Sequence, residues 1–234
     1  MIWCLHGNIG MVSDWDVLSA SGSPLRGQVI RKVDLWRYQE CRAIGLKEFG
    51  EVFASEVAAQ DKEPILVAYS MGARLALQAL QAAPKLWKAA VLMSVHPGLE
   101  DDGQKVARRQ KDAEWSAMAL QSDWKGFLTA WNAQAVLGEP PEGLGDRRLL
   151  QPRSHAIARA FCSWSLGAQP DMRSALSEVE APVKLMTGSL DTKYCALAES
   201  FVGECFSHYM VSDTGHRFLW ENPEKTFQGL KGLV

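Results

Sequence analysis

The residues with the clearest chemical potential lie between Ile65 and Leu77, where the chain reads ILVAYSMGARLAL. An apolar, β-branched run ends at Tyr69, a hydroxyl follows at Ser70, and a helix-forming run begins almost at once. Small residues flank the serine, Ala68 on one side and Gly72 on the other, so strand and helix can approach closely around a sharp turn. A hydroxyl held there sits at a helix N-terminus, where free N–H groups and the helix dipole favour developing negative charge. That is the setting of an activated serine. An ordinary helix N-cap serine has the same local look, so the reading depends on what else the chain supplies.

A serine of this kind needs a base and a group to orient the base. Two further segments offer them, each directly after an apolar run. Gly188 to Asp191 reads GSLD, and Asp213 to His216 reads DTGH. His216 would take the serine proton, and Asp191 would orient the imidazole. Asp213 is the weaker alternative because it stands so close before the Gly-His pair. The chain order is Ser, Asp, His. A fourth segment, Leu5 to Gly10 (LHGNIG), follows the first apolar run. Its tight loop can aim the backbone N–H of Asn8 at an oxyanion, with the N–H of Met71 completing the hole. Such donors contribute about 3–4 kcal/mol each to transition-state stabilisation. His6 reads as packing beneath this loop. The other histidines, His96, His155 and His208, are scattered without metal-ligand spacing. Neither a phosphate-cradling loop nor a dinucleotide fingerprint occurs, so no metal and no cofactor is expected.

These segments need a scaffold that puts strand ends on one rim. Ile2 to Leu5, Val29 to Val33, Ile65 to Tyr69, Ala89 to Val95, Val183 to Thr187 and His208 to Val211 read as strands. Ala43 to Ala59 and Ala73 to Ala83 read as helices. Strands apolar on both faces, alternating with helices, predict an α/β fold with a mostly parallel sheet. The rhythm breaks from Pro97 to Gln169, where helical periodicity and four tryptophans (Trp115, Trp124, Trp131, Trp164) replace strand signals. Residues 97–169 are therefore expected to be a helical insertion into a core of residues 1–96 and 170–234. The insertion is either a lid over the C-terminal edge of the sheet or a helical subdomain with no part in binding.

Bulk properties narrow the class. The 234 residues suit one domain, and a formal net charge of −2 argues against a nucleic-acid or membrane-surface partner. Five cysteines (Cys4, Cys41, Cys162, Cys195, Cys205) at irregular spacing read as free thiols in a reducing compartment. With no basic lead before the first apolar run and no membrane-length apolar stretch, the expected location is cytoplasmic. The expected state is a monomer or small homo-oligomer.

On these residues the chain resembles the α/β-hydrolase superfamily, and within it the menaquinone-biosynthesis family of 2-succinyl-6-hydroxy-2,4-cyclohexadiene-1-carboxylate (SHCHC) synthases. The elbow YSMGARLA is similar to that family's. So are Ser94 to Leu99 (SVHPGL), Ala107 to Asp112 (ARRQKD) with Trp115, Phe127 to Trp131, Gln134 to Val136, Ser165 to Arg173 (SLGAQPDMR), Leu190 to Tyr194 (LDTKY), and Gly215-His216 with Glu221 to Pro223. The likeness runs from about Leu5 to the end. It implies an α/β-hydrolase fold with a helical lid, a small anionic substrate, and substrate contacts from Tyr69, Arg74, Arg108, Trp131 and Arg153. Arg74, four residues after Ser70 on one helix, can share its face, and a guanidinium suits bidentate capture of a carboxylate. The resemblance further implies an elimination in which the triad removes a ring proton and pyruvate leaves, with no acyl-enzyme.

The chain departs from the family in places. Asp34 is followed by Leu-Trp-Arg-Tyr where a Pro-Gly-His-Gly-type turn is usual. The leading hairpin is missing or very short. Ala68 and Ala73 replace glycines, Leu137 replaces an aromatic, and Trp220 falls in a stretch that is more polar in relatives. A carboxylesterase or thioesterase working through an acyl-serine is the rival reading. A non-catalytic binding protein on the same fold is a distant third.

Overall fold

The computed structural model describes residues 1–233. Six strands form one sheet: β1 (Ile2–Leu5), β2 (Ile30–Val33), β3 (Ile65–Tyr69), β4 (Ala89–Met93), β5 (Val183–Gly188) and β6 (Phe206–Val211). Every neighbouring pair is parallel, in the order β2-β1-β3-β4-β5-β6. The chain moves one way from β1 to β2, then returns past β1 to lay down the remaining strands on the other side. That reversal opens a crevice at the carboxyl ends of β1 and β3, where open α/β sheets bind ligands. The loop carrying Asn8 and the turn carrying Ser70 leave the sheet at these two ends.

Among the described residues, nine α-helices accompany the sheet. They are α1 (Arg37–Glu40), α2 (Leu46–Ala58), α3 (Met71–Ala82), α4 (Asp102–Leu120), α5 (Trp124–Asn132), α6 (Ser154–Ser163), α7 (Thr192–Glu199), α8 (Phe218–Glu221) and α9 (Pro223–Leu230). Alternate residues of each strand face opposite layers. Leu5, Leu66, Ala68 and Leu92 join Phe49, Phe53, Leu75 and Trp164 in one core. Cys4, Ile65, Val67, Val91 and Met93 join Trp15, Phe218, Phe227 and Leu230 in the other. Burial on both faces explains why β1, β3 and β4 read as continuous apolar runs.

The elements fall where the sequence places them, with shifted ends. α2 begins at Leu46 rather than Ala43, after Gly45 in an extended conformation. α3 begins at Met71 rather than Ala73, leaving Ser70 in the N-cap position. β4 stops at Met93, because Ser94 turns the chain at φ 48°. Residues 97–169 hold α4, α5, α6 and short 3-10 turns, with no strand. No helix among the described residues is long and apolar enough to cross a membrane.

The sequence after Asp34 has a structural use. Leu35 and Trp36 are buried. The Leu35 N–H donates to His6 Nε2 at 3.2 Å, and the Trp36 indole N–H donates to the Gly10 carbonyl at 2.8 Å. The His6 and Trp36 rings pack with centroids 5.2 Å apart. An apolar clamp therefore holds the loop after β1 where the family has a glycine-rich turn.

The tightest backbone contact lies beneath the elbow. A Cβ on Gly72 would stand 2.3 Å from the Leu5 carbonyl oxygen and 2.4 Å from that of His6. No side-chain rotation relieves a clash between backbones. Gly72→Ala is therefore expected to lose about 1–3 kcal/mol of stability, the range for overpacking, measured by urea denaturation. Wild-type stability in the variant would disprove the close approach.

Candidate active site

Ser70 occupies φ 52°, ψ −111°, a left-handed conformation that costs a non-glycine residue about 1–3 kcal/mol. Its surroundings impose it. The Ser70 N–H donates to the Met93 carbonyl at 2.8 Å, and its own carbonyl accepts from the Arg74 N–H at 3.1 Å. The residue thus ends β3 against β4 and starts α3 in one step. The side chain emerges at the rim, half-buried, with Oγ 3.1 Å from His216 Nε2.

His216 Nδ1 lies 2.7 Å from Asp191 Oδ2. One tautomer serves both contacts: Nδ1–H donates to Asp191, and Nε2 accepts from the serine hydroxyl. Asp191 is also the N-cap of α7, with Oδ1 accepting from the Tyr194 N–H at 3.4 Å. The exits of β5 and β6 are pressed together. The Leu190 N–H donates to the Thr214 carbonyl at 2.8 Å, and a Cβ on Gly188 would be 2.1 Å from the Gly215 carbonyl oxygen. Asp213 is turned away to the surface, where its carboxylate meets Lys225 at 2.8 Å. The imidazole is flanked by the Tyr194 ring, 4.6 Å away and edge-on, and by the Tyr69 ring at 5.6 Å.

The loop after β1 completes the rim. His6 is buried, its Nδ1–H donating to the Gly7 carbonyl at 2.9 Å while Nε2 accepts from Leu35. Burial holds its pKa below the ordinary value, which keeps the ring neutral. Gly7 lies against the Tyr69 ring, where a Cβ would be 2.6 Å from Cδ1. Among the described residues, neither the Asn8 N–H nor the Met71 N–H donates to a protein acceptor, and both residues line the space beside Ser70.

Two clefts open on Ser70, with Asn8, Trp131 and Leu137 common to both. The first carries Arg74, His96, Arg108 and Tyr194. Arg74 is buried, and its bonded partners are neutral: Gln169 Oε1 at 3.0 Å and the Trp164 carbonyl at 2.6 Å. Burial, and then the neighbouring Arg108 charge, lower its pKa to about 10, so it remains a cation at neutral pH. Arg108 binds Asp112 through Nε, which is 2.9 Å from both carboxylate oxygens. Asp112 also accepts from Ser165 at 2.7 Å. Two cations thus face one carboxylate that is already engaged, and the cleft is left electropositive. Burial and then the nearby cations Lys193, Arg74, Arg108 and Arg173 push His96 down to about 3. It is neutral there, with Nδ1 accepting from the Gly98 N–H.

The second cleft carries Tyr69, Asp14, Arg147, Arg217 and Trp220. Trp131, between the two, is braced by Trp115 at 5.2 Å and Phe161 at 5.5 Å. Of the residues expected to meet substrate, Tyr69, Arg74, Arg108 and Trp131 line one or both clefts. Arg153 lines neither. It is held between Asp34, at 2.6 Å, and Glu40, and ties the start of α6 to the exit of β2. Its place in the sequence matches the family, but the two carboxylates have captured its guanidinium.

Sequence reasoning passed over His96, Arg147 and Arg217. Arg217 adjoins His216 in the chain and could have been suspected for that reason. Arg147 follows a glycine- and proline-rich passage, Gly138 to Gly145, and carries no local signal. Among the described residues, no group of three or more His, Cys, Asp or Glu side chains could hold a metal ion. The five cysteines are all unpaired.

Known proteins resemble this chain over most of its length. The SHCHC synthase of Salmonella paratyphi C is 28% identical over 239 residues, covering 98% of this chain and 92% of the relative. That of Citrobacter koseri is 29% identical over 172 residues, covering 72% of this chain and 67% of the relative. Among solved structures, MenH from S. aureus superimposes with a TM-score of 0.79 at 17% identity, over 99% of this chain and 92% of that one. A thermophilic esterase from Thermogutta terrifontis reaches 0.69 at 14% identity, over 98% and 87%. A profile of the alpha/beta hydrolase family matches residues 5–228, and the chain belongs to that family.

Proposed function

We propose that this enzyme is an SHCHC-synthase-type lyase, eliminating pyruvate from a cyclohexene substrate that bears several carboxylates. The observation that carries the reading is Arg74: a buried guanidinium with only neutral bonded partners, in a cleft that opens on Ser70. A cation held in that way favours an anion beside the serine. The SHCHC synthase of Salmonella paratyphi C, alike over 98% of this chain, supports the choice of reaction.

In this reading Arg74 and Arg108 clamp a substrate carboxylate. Trp131 packs on the ring, and the helical segment of residues 97–169 serves as a lid. Ser70 and His216 act together as the base. The ring C–H proton passes to the serine–imidazole pair, and the electron pair spreads into a delocalised anion whose oxygen meets the Asn8 and Met71 N–H groups. The C–O bond to the enolpyruvyl group then breaks, a second ring double bond forms, and the departing enolate is protonated to pyruvate. Asp191 holds the imidazole in its working tautomer and stabilises the imidazolium. The acidic ring proton, the leaving group and the returned proton balance without any co-reactant.

A second reading rests on the 3.1 Å contact between Ser70 Oγ and His216 Nε2, which equally suits nucleophilic attack on an ester or thioester. It requires a trappable acyl-Ser70 and burst kinetics.

The deciding assay supplies the enzymatically generated SHCHC precursor and follows pyruvate release with diene absorbance. Serine-dependent formation of both products is expected, with Ser70→Ala slowing the reaction about a hundred- to ten-thousandfold. A rate no faster than the spontaneous one would discard the lyase reading and leave the ester panel. Arg74→Ala should lower kcat/KM by about tenfold to a hundredfold, the worth of a charge-assisted hydrogen bond, and an unchanged value would remove Arg74 from the substrate. Arg153→Ala should stay within about threefold of wild type in kcat/KM, since surface-type ion pairs contribute about 1 kcal/mol or less. A hundredfold loss would return Arg153 to the site.

A further inference from the structure

The second cleft holds charges that the mechanism above does not use. Arg217 is 5% exposed, and Arg147 has a side chain 10% exposed. Arg217 Nη2 donates to Asn132 Oδ1 at 2.6 Å, while Arg147 Nη2 forms an ion pair with Asp14 Oδ1 at 2.7 Å without hydrogen-bond geometry. Each also has a buried Nη1 with no hydrogen-bond partner among the described residues. The two cations are near enough for each to feel the other, and burial followed by this neighbourhood lowers the Arg217 pKa. The carboxylates close by are turned mainly to backbone donors, although Asp14 Oδ1 has no hydrogen-bond partner among the described residues. Asp14 Oδ2 accepts from the Met11 N–H at 2.9 Å, and Glu221 caps backbone N–H groups of Gly215 and Arg217.

Two unsatisfied cationic donors buried beside Ser70 form an unstable arrangement on their own. An anion in the cleft that both residues line would offset their charge. We propose that Arg147 and Arg217 form a second carboxylate subsite, so that a substrate reaching across Ser70 is held by one carboxylate at Arg74 and Arg108 and by another here. This deepens the reading of the Ser70 clefts as the place where a multi-carboxylate substrate reacts, and it rests on that reading. Asp14 sets the strength of the subsite, since its charge cancels part of Arg147 and repels an incoming anion.

The test is a calorimetric titration with α,ω-dicarboxylates of increasing chain length, each paired with the monocarboxylate of the same length. Wild type should bind at least one dicarboxylate about tenfold more tightly than its partner, the worth of one additional charge-assisted contact. Arg217→Gln should reduce that preference to about the twofold statistical factor. Asp14→Asn should increase it, and misfolding cannot mimic a gain in affinity. The proposal falls if wild type shows no preference. It also falls if a folded Arg217→Gln, matched to wild type in circular dichroism and Tm, keeps the preference. Should Arg217→Gln fail to fold, Asp14→Asn decides: tighter dicarboxylate binding supports the subsite, and unchanged or weaker binding overturns it. Because no turnover is measured, this outcome is separate from that of the lyase assay.

Discussion

The clefts around Ser70 depend on a single close contact between backbones. α3 starts so near the end of β1 that only Gly72 fits against the carbonyl oxygens of Leu5 and His6. That approach sets the start of α3, directly after Ser70 at its positive φ, against the end of β1. The two rims of the site, the Asn8 loop and the serine elbow, are thereby fixed relative to one another before any side chain is considered. The strain at Ser70 is held by parallel strands buried on both faces, a scaffold stiff enough to keep a non-glycine residue at φ 52°.

Electrostatics supplies the second layer. Four arginines, Arg74, Arg108, Arg147 and Arg217, line the two clefts beside Ser70, while the carboxylates among them are engaged by neighbours. In a poorly solvated cleft such charges are screened weakly and select strongly for anions. Neutral groups are kept neutral by the same burial. His96 and His6 are both held below the ordinary histidine pKa, so neither competes with His216 for a proton. The hydroxyls of Tyr69 and Tyr194 are likewise pushed above the usual phenol range by burial.

The departures from the family pattern acquire a physical sense in this frame. The apolar pair Leu35 and Trp36 takes over support of the Asn8 loop, packing on His6 and bonding to Gly10. Trp220 stacks edge-on against Tyr69 at 5.2 Å and closes one side of the second cleft. Arg153 is not a departure in sequence, yet Asp34 and Glu40 hold it as a tie between α6 and the exit of β2.

Much of this was legible in the residues alone, for reasons that are local. Strands buried on both faces must be apolar throughout, so β1, β3, β4 and β5 are visible as runs. A serine elbow requires small neighbours, so Ala68 and Gly72 mark it. Ser70, Asp191 and His216 each follow a strand end, and a parallel sheet necessarily collects such ends on one rim. What the sequence could not decide is which charges find each other across the fold. Arg108 and Asp112 share a helix and could be paired by spacing, but Arg153 met Asp34 from 119 residues away, and Arg217 met Asn132 across 85. Side-chain partners at such separations depend on how the helical segment seats on the sheet, and that is a property of the packed core as a whole. Local pattern therefore determined the elbow, the strand-end residues and the fold, while tertiary packing alone decided which arginines reach the serine and which are spent on holding the chain together.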